Sequence, residues 1–111
     1  MQITPTVDSA LIAVNGPEMD STQAQALNPQ LETALAHHAR VVLDLHAVQF
    51  VAPGGWNLLL VARQRALTRG RALAVCNLQP SVRLIFELMG LHRLIPCVPA
   101  ATTALGTEAD S

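Results

Sequence analysis

Residues 41–67 read VVLDLHAVQFVAPGGWNLLLVARQRAL. The run opens as a buried strand, passes through a tight Ala52-Pro53-Gly54-Gly55 turn, and continues as a helix that starts on the glycines. Backbone N–H groups at such a helix start can hold an anion or sit beside a switchable side chain. None of the four turn residues carries a hydroxyl, thiol, carboxylate or amine, so the turn has no chemistry of its own. Glycines here let the strand turn sharply and bring the helix close to the sheet. A nucleotide cradle is disfavoured, because the Lys-Ser/Thr of a P-loop is missing and GGWNLL is not GxGxxG.

The helix after the turn carries more apolar surface than one sheet contact needs. Gly55, Leu58, Leu59, Ala62 and Ala66 share one face and are expected to pack on the sheet. Trp56, Leu60 and Leu67 fall on a second face, beside Arg63 and Gln64. A helix covering a sheet should show one apolar stripe. Either Trp56 folds back and loops cover the remainder, or the second stripe is an anchor for a protein partner. Trp is enriched at interface hot spots, and contiguous exposed apolar patches mark interaction sites. The expected partner-binding residues are Ala52, Pro53, Gly54, Gly55, Trp56, Leu60 and Arg63.

Working outward, Met1 to Val7 alternates weakly and is expected as an edge strand. Ala10 to Val14 is a strand stopped by Asn15-Gly16-Pro17. Thr22 and Gln25 fit a capping box, whereas Asn28-Pro29 is a good Ncap–N1 pair. The sequence therefore predicts a short turn at 22–27 and a helix near 29–39, or one kinked helix. Leu27, Leu31, Ala34, Leu35 and His38 mark its inner stripe. Beyond the opening segment, Trp56 to Arg69 is the second helix, ended by Gly70. Arg71 to Leu78 is a strand. Ser81 to Met89 is the third helix, ended by Gly90, and Leu94 to Val98 is a last short strand. The order β-β-α-β-α-β-α-β implies an α/β fold: a mixed, mostly parallel sheet of about five strands with three to four helices. The first two strands are close enough to pair antiparallel. One domain over residues 1–111 is expected, with its core at about 10–105 and a frayed tail.

Composition removes several function classes. Half of the residues are apolar and 14% are charged, which favours a packed core over disorder. Net charge is −1 without a basic run, and there are two Phe, one Trp and no Tyr. No electrostatic attraction to nucleic acid or anionic lipid is expected, and no stacking platform. Met1 to Pro5 lacks the charge and apolar run of a leader. The apolar runs are too short to span a bilayer, so no direct membrane insertion is expected. Cys76 and Cys97 sit in apolar contexts and are expected as buried, reduced thiols of a cytoplasmic protein. Without CxxC or HExxH spacing, neither a metal nor another cofactor is expected.

Catalysis has little to stand on. His46 lies two residues from Asp44, and the two side chains share a strand face. No GxSxG elbow or placed cysteine supplies a nucleophile, so a structural role is expected and no enzyme. His37 and His38 lie near a helix C-terminus, where positive charge is favourable. His92 is expected at the surface. Arg83 and Glu87, four apart on the third helix, form a solvated pair worth about 0.2–0.5 kcal/mol.

Taken together these motifs resemble the STAS family, the bacterial anti-sigma factor antagonists and the related domains of sulfate transporters. The resemblance runs from about Ala10 to Leu105. Gly16-Pro17-Glu18-Met19-Asp20, followed by Thr22, is similar to the family's G-E-L-D lead-in to the first helix, with one extra residue. Val42-Leu43-Asp44-Leu45, Phe50 and Gly55 resemble its V-L-D-L…F-I-D-S-S-G-L strand and loop. Pro80, Val82-Arg83, Phe86-Glu87-Leu88 and Gly90-Leu91 resemble its P-x-V-R-x-x-F-E-L-x-G-L third helix.

The resemblance implies a non-enzymatic module that binds partner proteins. In partner switching, such an antagonist docks on an anti-sigma factor, often a serine kinase, and frees the sigma factor. Phosphorylation of a serine in the D-S-S-G loop breaks the complex, because a phosphate adds roughly −1.5 to −2 charges at pH 7. This chain departs from the family at that loop. Ala52 stands at the Asp position, Pro53 and Gly54 stand at the two serines, and Gly54 holds the usual phosphorylation position. Regulation by phosphorylation there is not expected, and Ser21 and Thr22 are assigned to capping the first helix. The implied partner is an anti-sigma factor or serine kinase-like protein. The alternative is a small cytoplasmic STAS subunit of an ABC-type lipid transporter, partnered by its ATPase, which suits GGWNLLL except that Pro53 replaces a usual Thr. A homodimer is also compatible.

Overall fold

In the computed structural model, residues 9–98 are described. The centre of the fold is strand β3 (Arg40–Asp44), whose Val41, Val42 and Leu43 are fully buried. A strand buried on both faces reads as a continuous apolar run, as parallel strands do. β3 pairs in parallel with β1 (Ser9–Ala13) on one side and with β5 (Ala72–Cys76) on the other, giving the order β1-β3-β5. Two further short strands, β2 (Glu18–Met19) and β4 (Phe50–Val51), form a separate parallel pair. The architecture is thus α/β, with five short strands among the described residues. The expected antiparallel edge strand at Met1 to Val7 lies outside the described residues. β2 was not anticipated: two residues after a Gly-Pro turn carry no readable period.

The strand side chains alternate between two faces. Ile12, Val41, Leu43, Leu73 and Val75 face the main core, which the three helices cover. Val42, Ala74 and Cys76 form a small cluster on the opposite face, with Val98 packed against it.

The first helix, α1 (Ser21–His37), is continuous, and Pro29 lies inside it. Of the two expected arrangements, this overturns the break at Asn28-Pro29 and keeps the single helix. Proline removes the hydrogen bond to the carbonyl of Gln25, but both Gln25 and Pro29 are exposed, so water can serve that carbonyl. The buried stripe Ala24, Leu27, Leu31, Ala34 and Leu35 runs past the proline on the other face. Burying each leucine is worth about 1.5–3 kcal/mol, comparable with the roughly 3 kcal/mol that an interior proline costs. The capping box at Thr22 and Gln25 is also corrected. Asp20 is the N-cap, and its carboxylate accepts from the backbone N–H of Gln23 at 3.1 Å.

The second helix, α2 (Pro53–Thr68), begins three residues earlier than expected, with Pro53 at its first position. Proline fits there because its missing N–H would be unpaired anyway. Its buried residues are Gly55, Leu58, Leu59, Ala62 and Ala66, the stripe read from the sequence. The third helix, α3 (Pro80–Leu88), buries Val82 and Phe86. Gly70 and Gly90 follow the ends of α2 and α3 with φ of +68° and +74°, as C′ glycines do.

The last expected strand, Leu94 to Val98, is reduced to one parallel bridge between Val75 and Cys97. Leu91–Arg93 forms a 3-10 turn, and the N–H groups of Leu94 and Ile95 return to the Leu91 carbonyl. Pro96 has no N–H to extend a ladder. Cys76 is buried, but Cys97 is only half-buried, which corrects the expectation of two buried thiols; both are free. Burial, helped by the charges of Asp44 and Cys97, pushes the Cys76 thiol up to about 11.

The corrected cap yields a direct comparison. Asp20→Ala should destabilise the fold by about 1 kcal/mol, read as a shift of the urea midpoint at unchanged slope. Thr22→Ala should move the midpoint by less than half as much.

Candidate partner-binding site

The turn that precedes α2 is held by backbone. The Ala52 N–H donates to the Met19 carbonyl at 2.9 Å, and the Gly55 N–H donates to the Ala52 carbonyl at 2.8 Å. Both glycines are needed for close approach. A Cβ on Gly55 would run into the Met19 carbonyl oxygen and lie 2.8 Å from Val51 Cγ1. A Cβ on Gly54 would lie 2.9–3.0 Å from the Cβ, Cα and N of Ser21. The α2 start is thus pressed onto β2 and onto the first residue of α1. Beside it, a groove of about 300 Å³ is lined by Ser21, Gln25, Asn28, Gly54, Asn57 and Val61, among others.

The residues expected to bind a partner separate into layers. Pro53 is exposed, Ala52 and Gly54 are half-buried, and Gly55 is buried and contributes packing, not contact surface. Trp56 is half-buried and packs against the core. It is not a free-standing side chain. Leu60 and Leu67 remain exposed at 40% and 54%. Trp56, Leu60, Arg63 and Leu67 lie within one narrow sector of the helix. Arg63 is half-buried, and its Nε donates to the Leu94 carbonyl at 3.2 Å. That bond places Leu94, itself 43% exposed, beside the stripe. Leu94 was missed because only the fold brings the 3-10 turn against α2.

Residues 45–86 include Arg63, Arg65, Arg69, Arg71 and Arg83 but no Asp or Glu. Arg65 and Arg69 reach across to Glu32 of α1 at 2.7 and 2.8 Å. Exposed pairs of this kind contribute little singly, though together they tie α1 to α2. Neither Arg63 nor Arg93 has a carboxylate partner among the described residues. On the exposed α2 stripe the cation is Arg63, since Arg65 and Arg69 are matched by Glu32.

Asp44 and His46 do meet, at the end of β3. Asp44 Oδ1 accepts from the His46 backbone N–H at 3.0 Å and from Asn77 Nδ2 at 3.1 Å, and lies 3.1 Å from His46 Nδ1. The Gln79 side chain donates to the His46 carbonyl at 2.6 Å. These bonds pin the segments that follow β3 and β5 to each other. No serine or cysteine hydroxyl or thiol joins them, and among the described residues no three His, Cys, Asp or Glu gather as a metal would require. Burial raises the Asp44 pKa, but the Asn77 amide and the His46 N–H and imidazole outweigh it. The carboxyl is held below its ordinary 3.8.

The comparisons with known proteins agree with this geometry. The STAS domain family matches residues 1–104. A Bordetella bronchiseptica protein named "Putative anti-sigma factor antagonist BtrV" is 34% identical over 92 residues, covering 81% of this chain and 78% of that protein. The crystal structure of an anti-sigma factor antagonist from Mycobacterium paratuberculosis superposes with a TM-score of 0.73 at 26% identity, over 93% of this chain and 87% of that one. A sulfate transporter family protein from Wolinella succinogenes shares the fold, with a TM-score of 0.76 at 14% identity over 90% and 85%. The chain belongs to the STAS domain family. Among the described residues no helix is long and apolar enough to cross a membrane.

Two measurements follow. Gly55→Ala should destabilise by about 1–3 kcal/mol through overpacking, because the Met19 carbonyl blocks the added methyl, whereas Gly54→Ala should cost less because its methyl would approach Ser21 no closer than 2.9 Å. Thermal melts of the two variants check this order. For Asp44, the unfolded chain binds more protons than the folded one below the ordinary carboxylate value. Stability should therefore fall as pH drops from that value through the folded pKa. Asp44→Asn should flatten that part of the pH–stability curve and leave its neutral side unchanged in slope.

Proposed function

We propose that this chain is a non-enzymatic, cytoplasmic regulatory module of partner switching that docks on an anti-sigma factor or a serine kinase-like protein. The docking surface is Ala52, Pro53 and Gly54 with the α2 stripe of Trp56, Leu60 and Arg63. The observation that carries this reading is the apolar, cationic stripe left exposed beside the turn. Likeness to anti-sigma factor antagonists supports the class of partner. Arg63, without a carboxylate partner among the described residues, favours a partner surface bearing a carboxylate there, since complementary charge speeds encounter and suppresses wrong partners.

Phosphorylation at position 54 does not operate in this proposal. Glycine offers no hydroxyl, and the place where a side chain would begin is taken by Ser21. Binding is then constitutive, or set by the abundance and state of the partner. Cys76, which pairs with Asp44 across β3 and β5, is buried with its thiol pushed up to about 11, and a protonated buried thiol is a poor nucleophile, which supports a non-enzymatic role.

Affinity purification with the wild-type chain, followed by mass spectrometry, tests the class of partner. A GHKL-type kinase or a sigma regulator supports the proposal, whereas a copurifying transport ATPase replaces it with the transporter-subunit reading. Leu60→Asp tests the surface. This exposed residue should tolerate the change with a melting temperature within a few degrees of wild type, while affinity for the recovered partner falls at least about tenfold. Undiminished binding by a folded Leu60→Asp variant would exclude the α2 stripe.

A further inference from the structure

We infer that Ser21 is a phosphorylation site and that a phosphate on it releases the partner from the turn before α2. The inference rests on the docking reading of Ala52, Pro53 and Gly54, and it gives that surface a control. Position 54 taken alone leaves binding constitutive; its neighbour in space does not. A Cβ at position 54 would lie 2.9 Å from Ser21 Cβ and 3.0 Å from its Cα and N. Ser21 thus fills the place where a side chain of residue 54 would begin, and its hydroxyl is one bond further out. Ser21 is exposed and, with Gly54, lines the groove of about 300 Å³ beside the turn. A hydroxyl therefore stands at this turn although the turn itself has none.

That hydroxyl has no structural duty. Asp20 takes the capping role, its carboxylate accepting from the Gln23 N–H, and the Ser21 hydroxyl makes no hydrogen bond among the described residues. The nearby hydroxyls differ. Ser81 Oγ donates to the Gln49 carbonyl at 3.2 Å, and Thr22 does not line the groove. The step is a phosphoryl transfer from a nucleoside triphosphate held by a partner serine kinase. Ser21 Oγ bonds to the γ-phosphorus as the bond from that phosphorus to the β,γ-bridging oxygen breaks. The nucleoside diphosphate leaves, and the hydroxyl proton passes to a base of the kinase. The product carries roughly −1.5 to −2 added charges at pH 7, next in sequence to the Asp20 carboxylate. Arg65 bonds Asn28, about two helical turns along the groove, and is held by Glu32, so it does not neutralise a phosphate on Ser21. An uncompensated dianion on a docking surface opposes association through repulsion and lost hydration. The fold tolerates it: α1 has no acidic residue in its first turn, and negative charge there stabilises a helix.

Incubating wild-type, Ser21→Ala and Thr22→Ala chains with the recovered partner and magnesium ATP tests the site, with the phosphate located by peptide mass spectrometry. Wild type and Thr22→Ala should carry it on Ser21, and Ser21→Ala should carry none. No phosphate on the wild type, or as much on Ser21→Ala, would overturn the inference. The full chain with phosphoserine installed genetically at position 21 should bind the recovered partner at least about tenfold more weakly than the unmodified chain, with a melting temperature no lower. Leu60→Asp, measured alongside, separates this inference from the docking reading. If Leu60→Asp weakens binding and phosphoserine at 21 does not, the switch is overturned and the docking surface stands. If neither weakens binding, the docking reading falls and the inference falls with it.

Discussion

One close approach organises this fold: Gly55 of α2 lies directly on the Met19 carbonyl of β2. The same carbonyl accepts the Ala52 N–H, so one backbone group fixes both the end of β4 and the start of α2. Gly54 touches Ser21, the first residue of α1. Two helix starts and a two-strand pair thus converge within a few ångströms. A side chain at position 55 would force them apart, and the fully buried β3 leaves the sheet no freedom to absorb the movement. The exposure of Leu60 and Leu67 follows from this: with α2 pressed down at its start, Leu58, Leu59, Ala62 and Ala66 fill the core side and the opposite sector is left outside.

Much of the fold was legible in the sequence because its signals were redundant. Val41 to Leu43 is apolar on both faces, α2 and α3 end at glycines, and the α1 stripe spans Pro29 with regular spacing. The errors fell where local chemistry competed with packing. Asn28-Pro29 is a good helix start in isolation, yet the buried leucines on either side of it keep α1 continuous. Asp20, Ser21 and Thr22 all suit a cap, and their local propensities could not rank them; only Asp20 has the extended backbone of an N-cap. β2 and the Val75–Cys97 bridge are too short to carry a period, and they exist only because a partner strand is already in place.

The candidate site was legible to a lesser degree. Periodicity alone gave the second stripe of α2, and Arg63 with it. The half-burial of Trp56 depends on the depth at which α2 sits, which no spacing rule supplies. Leu94 joins the stripe through a bond from Arg63, a contact between distant parts of the chain. On α3, attention to Val82, Phe86 and the glycine stop conceals that Leu84, Ile85 and Leu88 point outward. Apolar residues on both sides of a short helix read as a buried helix unless the depth of its packing is known.

Gly54 joins the architecture to the function. In a protein whose partner is released by a phosphate at this position, the side chain must project into a close interface and have room there. Here the space at the Cβ position is filled by Ser21, so replacing the glycine by serine would first have to displace the start of α1. At position 54 the absence of a side chain and the close α1–α2 approach go together. Such a junction favours a rigid docking surface, which lowers the ordering cost of binding at the expense of a local off-switch. In the proposed partner-binding role, control then rests on how much of the partner is present rather than on a modification of this loop.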